Sequence, residues 1–344
     1  MKRTFPWLPL VAALFANSAL SAQPPAAAGA LPVSVDNYRR AETDRVFAGI
    51  AAQGGFGQFR HNRGLTPLDK QVVLRGNRDT LYSIAVFDLD AGPVDIRLPD
   101  PGQRFMTLMT TDQDHYTVGV SYGGGHQRLT REQVGTRYVL AALRILVDPN
   151  DPADLARVHA LQDAVRVSQA GSGRLETPKW DAASRQKVHD ALVTLGTTLP
   201  DLRKGFGSRE QVDPVHHLIA TAAAWGGNPE KDAVYLNVTP ARNDGKTRYR
   251  LTVKDVPVDG FWSISLYNEQ GYFEPNPLNA YSLNNLTARK AADGSVVVQF
   301  GGCDGKTPNC LPIMPGWNYM VRLFRPRAEI LDGSWHFPVA QAVD

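Results

Sequence analysis

Two long stretches of this chain, residues 56–147 and 234–324, are cut into short apolar runs by clusters of Gly, Pro and Asp. That punctuation limits the fold more than any other feature. FWSISLYN (Phe261–Asn268) is the clearest run: Trp262, Ile264 and Leu266 fall on one side, and Phe261, Ser263, Ser265 and Tyr267 on the other. Such alternation follows from the two-residue period of a strand. Further strands are predicted at Val72–Leu74, Tyr82–Leu89, Val94–Leu98, Phe105–Met109, Tyr116–Tyr122 and Tyr138–Val147, bounded by turn formers such as AGP, PDPG and YGGG. Val234–Val238, Tyr249–Val253, Val296–Phe300 and Tyr319–Phe324 continue the pattern. Many short strands at this spacing predict a sandwich or jelly roll rather than a doubly wound sheet.

Between the two stretches the apolar spacing becomes helical. Asp151-Pro152 opens a helix with Leu155, Val158, Leu161 and Val165 on one face. Asp181 caps a second, striped by Val188, Leu192, Leu195 and Leu199, and Asp213-Pro214 opens a third that carries His217, Leu218, Ile219 and Trp225. A further helix is predicted from Val35 to Gln53, ahead of the Gly54-Gly55 break. The expected fold is therefore mainly β with a helical middle: two jelly-roll-like β-sandwich modules bridged by α-helices. The expected divisions are a signal peptide at 1–22, a linker at 23–34, an N-terminal β module at 35–148, a helical connector at 149–230 and a C-terminal β module at 231–344.

The signal peptide rests on Lys2 and Arg3, an uncharged apolar stretch to Leu20, and the small residues Ala19, Ser21 and Ala22. Pro6 and Pro9 interrupt that stretch, which is short for a bilayer span of about 20 residues. This start predicts a periplasmic or secreted protein, with no membrane span after cleavage. In such an oxidising compartment Cys303 and Cys310, within GGCDGKTPNC, read as a disulfide closing one short loop. A net charge of +3 and the absence of a basic, aromatic-interleaved patch give no sign of nucleic-acid binding.

NRDTLYS (Asn77–Ser83), QDHY (Gln113–Tyr116), FWSISLYN and the closing ILDGSW (Ile330–Trp335) together resemble the paired bacterial DUF1254/DUF1214 family. The resemblance spans residues 35–340. It implies that the first β module is the DUF1254-like part and the last the DUF1214-like part, with a jelly-roll-like architecture and a homo-oligomer. It carries over no catalytic residues.

Two segments could carry chemistry. RGNRDTLYS brings Arg78, Asp79 and Tyr82 to a strand-turn-strand: Arg78 offers a planar fork to a carboxylate or phosphate, and Asp79 could orient it or act as a base. An Arg–Asp pair locking the turn explains the same residues. TTDQDHY is expected to place Asp112 and Asp114 on one strand face and His115 on the other. Those groups could form an acid/base set or bind a metal with His217, although the spacing matches no metal motif; a hydrogen-bonded histidine is the plainer account. Trp262, Tyr267 and Asn268 could contact a planar ligand or sugar, while alternation alone would explain Trp262 as core. The Tyr281–Asn285 run reads as a polar loop, and the Arg322-containing run RLFRPR as an ordinary strand.

There is no GxSxG elbow, HExxH, P-loop or strand-linked GxGxxG, so no cofactor is implied. Two readings stay open. One is an enzyme of hydrolytic or acid/base type on a small molecule, using Asp79, Asp114 and His115, with Arg78 holding an anionic group. The other is a non-catalytic module for a small ligand or glycan, contacted by Arg78, Tyr82, Trp262, Tyr267 and Asn268. A purely structural envelope role would need no pocket.

Overall fold

The structure, a computed structural model, describes residues 29–71 and 74–343. The predicted signal peptide lies outside the described residues, as do Val72 and Val73 of the predicted strand at 72–74. After helix α1 (Tyr38–Ala52) come β1 (Arg60–His61), β2 (Thr80–Asp88), β3 (Val94–Leu98), β4 (Met106–Asp112), β5 (Thr117–Tyr122), β6 (Gly125–Leu129), the short helix α2 (Arg131–Val134) and β7 (Tyr138–Leu146). The middle holds α3 (Pro152–Asp163), α4 (Ala182–Gly196) and α5 (Pro214–Ala223), with a small strand, β8 (Arg166–Ser168), between the first two. The last part comprises β9 (Ala233–Val238), β10 (Arg248–Val253), β11 (Trp262–Tyr267), β12 (Ser282–Asn284), β13 (Val296–Phe300), β14 (Cys310–Leu311), β15 (Asn318–Phe324), helix α6 (Ala328–Leu331) and β16 (Gln341–Val343). The chain is mainly β with a helical middle, as its punctuation predicts.

In the first module a five-stranded sheet ordered β1-β2-β7-β4-β5 faces a three-stranded sheet ordered β6-β3-β8. Leu81, Phe87, Ile96, Leu108 and Leu143 fill the space between them, each with almost no exposed surface. The second module pairs β14-β13-β10-β16 with β12-β11-β15-β9 around Ile264, Val298, Phe300, Trp317 and Tyr319. Both sandwiches follow from alternation: each strand commits one face to its own core.

The alternate faces decide how the molecule is assembled. Along the five-stranded sheet, Phe47 of α1 and Trp225 cover Val86, Tyr138 and Leu140. Further along the same face apolar residues give way to Tyr82, Arg144, Thr107 and Tyr122, which lie opposite one another in the strand register. This polar end meets the outer face of β11 and β15, where Ser263, Ser265, Arg322, Met320 and Asn318 stand. The three helices begin at the predicted caps, Asp151, Asp181 and Asp213 each accepting a backbone N–H of the first turn. Packing of α1 with α4 and α5 buries Tyr38, Leu192 and Ile219.

Two local expectations are corrected. Strand β4 ends at Asp112, so Asp114 does not share a strand face with it. Residues 113–116 form a turn, because Asp112 Oδ1 accepts the N–H groups of Asp114 (2.8 Å) and Tyr116 (2.9 Å), and His115 takes a φ of 68°. The Tyr281–Asn285 run is also not a loop throughout: Ser282–Asn284 is β12, drawn into the sheet by antiparallel pairing with Ser263–Ser265. Cys303 and Cys310 form the predicted disulfide, with Cα atoms 5.6 Å apart.

Candidate functional site

The segment from Leu74 to Thr80 lies between the two sandwiches and is held mainly by its backbone. Arg75, at φ 51°, donates its N–H to Gly271 O (2.9 Å), and a Cβ on Gly271 would come within 2.9 Å of Leu74. Only glycine suits that position, which combines a close approach with its own φ of 85°. The carbonyls of Arg75 and Gly76 accept from Arg322 Nη2 at 2.7 and 3.1 Å. Arg322 also donates to Ser265 Oγ (2.9 Å) and to the Tyr267 hydroxyl (2.7 Å), which in turn donates to Gly76 O (2.8 Å). Its guanidinium is almost fully buried. Burial works against its charge, but Tyr267 and Asp79 outweigh that and hold its pKa up.

Asp79 sits beside this network with no exposed surface. Its N–H donates to Asn77 Oδ1 (2.7 Å) and its Oδ1 accepts from Asn284 Nδ2 (3.1 Å), while Oδ2 has no hydrogen-bond partner among the described residues. Burial pushes the Asp79 carboxyl up, against the pull of Arg322. Asn77 continues the chain of contacts to the Tyr82 hydroxyl (3.1 Å), over whose ring the Arg144 guanidinium lies at 5.6 Å. Arg144, also buried, donates to Asn228 Oδ1 and Gly226 O. Arg75 donates to Asn318 Oδ1 (2.6 Å), whose amide donates to Asn268 O.

Arg78 borders the same region from the outer side. It is half-buried, bonds the carbonyl of Thr66, and lies over the rings of Phe273 (5.7 Å) and Tyr281 (5.3 Å). Those rings cluster with Tyr267 and Met320. Arg78, Asp79, Tyr82, Tyr267 and Asn268, proposed from sequence, thus gather at one junction. Trp262 does not join them; it packs in the second sandwich core against Phe337.

Asp114 and His115 belong to a separate cluster under the helices. Asp114 pairs with Arg40 (2.8 Å) and Arg209 (3.6 Å). His115 Nε2 accepts the N–H of Gly226 (2.9 Å), so Nδ1 carries the proton and donates to Thr221 Oγ1 (2.9 Å). His217 stacks on His115 with ring centroids 5.4 Å apart, and its two nitrogens face the carbonyls of Gly205 and Asp114. Burial lowers the pKa of both rings, that of His115 furthest. All four ring nitrogens are engaged, and among the described residues no three His, Cys, Asp or Glu side chains group as a metal site. Asp79 shares no bonding partner with Asp114 or His115.

Sequence reading passed over Arg144 and Arg322. The signal was present: Arg144 is the lone charge in YVLAALRILV, and Arg322 falls on the Ser263/Ser265 side of its sheet. A single guanidinium inside an otherwise apolar strand is expensive unless something receives it.

Comparison with known proteins agrees with the motifs. Residues 56–131 match the family DUF1254 and residues 234–328 the family DUF1214, each described as a protein of unknown function. No curated protein matches. The fold is similar to that of the VPA0106 protein from Vibrio parahaemolyticus, at 18% identity and a TM-score of 0.69, over 90% of this chain and 98% of that one. A protein from Burkholderia cenocepacia also aligns, at 12% identity and a TM-score of 0.49, over 90% and 88%. The junction is therefore where the DUF1254 part meets the DUF1214 part, and this chain carries a domain of each family.

Proposed function

We propose that this chain is an exported binding protein for a small carboxylate-bearing molecule, received at the junction of its two sandwiches. One observation carries the reading. Arg75, Arg78, Arg144 and Arg322 meet there, and their hydrogen bonds go to neutral acceptors: Asn318, Thr66, Asn228, Gly226, Ser265, Tyr267 and the carbonyls of residues 75 and 76. Asp79 and Asp232 are the buried carboxylates nearby. Four guanidiniums against two carboxylates leave an excess that an incoming anion would offset. Arg78, with its fork beside aromatic faces, is the group best placed to meet a planar carboxylate.

An acid/base enzyme built on Asp79, Asp114 and His115 has weaker support. Asp79 is sealed from solvent, Asp114 is held by two arginines, and both nitrogens of His115 are engaged. Export rests on the N-terminal pattern, the disulfide, and the finding that no described helix is long and apolar enough to cross a membrane.

The test is a thermal-shift screen of the mature protein against mono- and dicarboxylates, phosphate and neutral sugars. A carboxylate at 100 times its Kd adds about 2.7 kcal/mol to stability. We expect Arg78→Ala to abolish the response and Arg78→Lys to weaken it. A response that survives Arg78→Ala, or one confined to sugars, would overturn the reading; silence throughout would favour the structural role.

A further inference from the structure

The closing ILDGSW segment takes no part in the junction. With α6 it walls a cavity of about 320 Å³ at the β9 edge of the second sandwich. Val234, Leu236, Leu323, Ile330, Trp335 and Phe337 line its interior. At ~30 Å³ per water-sized unit, the space admits about ten non-hydrogen atoms. Its size falls at the lower end of the range for small-molecule sites, about 300–1,000 Å³.

The mouth carries Arg203, Asp332 and His336, and its charge is unbalanced. Arg203 is already offset twice, by Glu230 at 3.1 Å and by Asp201 at 3.3 Å. Asp332 is in no ion pair among the described residues. Its Oδ1 accepts the Ser334 N–H (2.9 Å), and that bond holds its carboxyl below the usual range. With Arg203 offset by its two partners, Asp332 is the carboxylate among the lining residues that has no counter-charge, and it favours a cation at the entrance. Trp335 adds an indole beside Phe337 (ring centroids 6.0 Å apart), and an aromatic face is a good neighbour for an ammonium group.

We propose that this cavity is a second binding site, for a small amphiphilic amine. The apolar body would lie between β9 and Phe337, with the ammonium at Asp332 and Trp335. The charge preference is opposite to that of the junction, so the two sites are separable by ligand and by variant.

Octylamine, octanol and octanoate share one chain length and differ in head-group charge. We would titrate each into the full mature protein by calorimetry, and repeat the titrations in Asp332→Asn, Leu236→Phe and Arg78→Ala. Octylamine should bind at one site per chain, and octanoate should show no binding once the junction site is removed by Arg78→Ala. Asp332→Asn should weaken octylamine about tenfold and leave octanol unchanged, while Leu236→Phe, which fills the cavity, should abolish both. Arg78→Ala should change nothing here. If Leu236→Phe fails to fold, Trp335→Leu replaces it, with weaker octylamine binding expected. Absence of octylamine binding, octanoate binding in Arg78→Ala equal to that of octylamine, or binding indifferent to Asp332 and to the cavity variant would overturn the proposal.

Discussion

Asp112 holds the 112–116 turn with a single carboxylate oxygen, and it does so almost out of contact with water. Burial, helped by the nearby Asp114, pushes its pKa up to about 6 against the pull of the backbone bonds. A carboxyl whose folded pKa is above its unfolded value makes a contribution present in full below about pH 4 and lost as pH rises through about 6. His115 and His217 work in the other direction: their folded pKa values are lowered, so their contribution is present above about pH 6.5 and lost on acidification. In the wild type these trends oppose one another. Asp112→Asn keeps the accepting oxygen and removes only the first trend. We expect the variant to be more stable than wild type at pH 7.5, by about 2–3 kcal/mol for two pKa units. The advantage should disappear near pH 4. Urea melts at the two pH values measure it, and an advantage that persists in acid would refute the assignment. That turn was hidden from a sequence reading because TTDQDHY alternates like a strand; only the Asx geometry of Asp112 ends β4.

Among elements, the ones legible in sequence were those whose causes are local. The caps at Asp151, Asp181 and Asp213, the FWSISLYN strand and the short Cys303–Cys310 loop all follow from neighbours in the chain. Strands β8 and β12, of three residues each, were not legible, since each exists by pairing with β3 or β11. The disulfide staples the loop that brings β14 alongside β13 in parallel. Replacing both cysteines with serine should lower stability by about 2.5 kcal/mol from loop entropy. Denaturant titration of the double variant tests this, and a midpoint equal to wild type would show that the loop is already closed by its backbone bonds.

At the scale of the whole molecule, the two modules and the helices between them could be read from the sequence, but their docking could not. Arg144 and Arg322 are buried by partners 84 and 247 residues away in the chain, Asn228 and Arg75 respectively, and no periodicity reports such a contact. Arg322→Met would strip donors from two carbonyls and a serine hydroxyl inside the junction. We expect a loss of about 3 kcal/mol or more. Asp79→Asn on that background should cost less than it does alone, because the two charges act on one another. A double-mutant cycle by urea denaturation measures the coupling, and strict additivity would show that the pair is independent.

The guanidinium of Arg322 grips the 75–76 segment by its carbonyl oxygens, a feature every amino acid shares. A clasp that recognises main chain places little demand on the side chains next to it. A position such as Arg78, which borders the clasp from outside, is therefore free to drift or to be selected without loosening the joint between the halves. Architecture and ligand preference are uncoupled at this seam, so descendants of one scaffold could exchange cargo by changing two or three residues while the sandwiches on either side stay as they are.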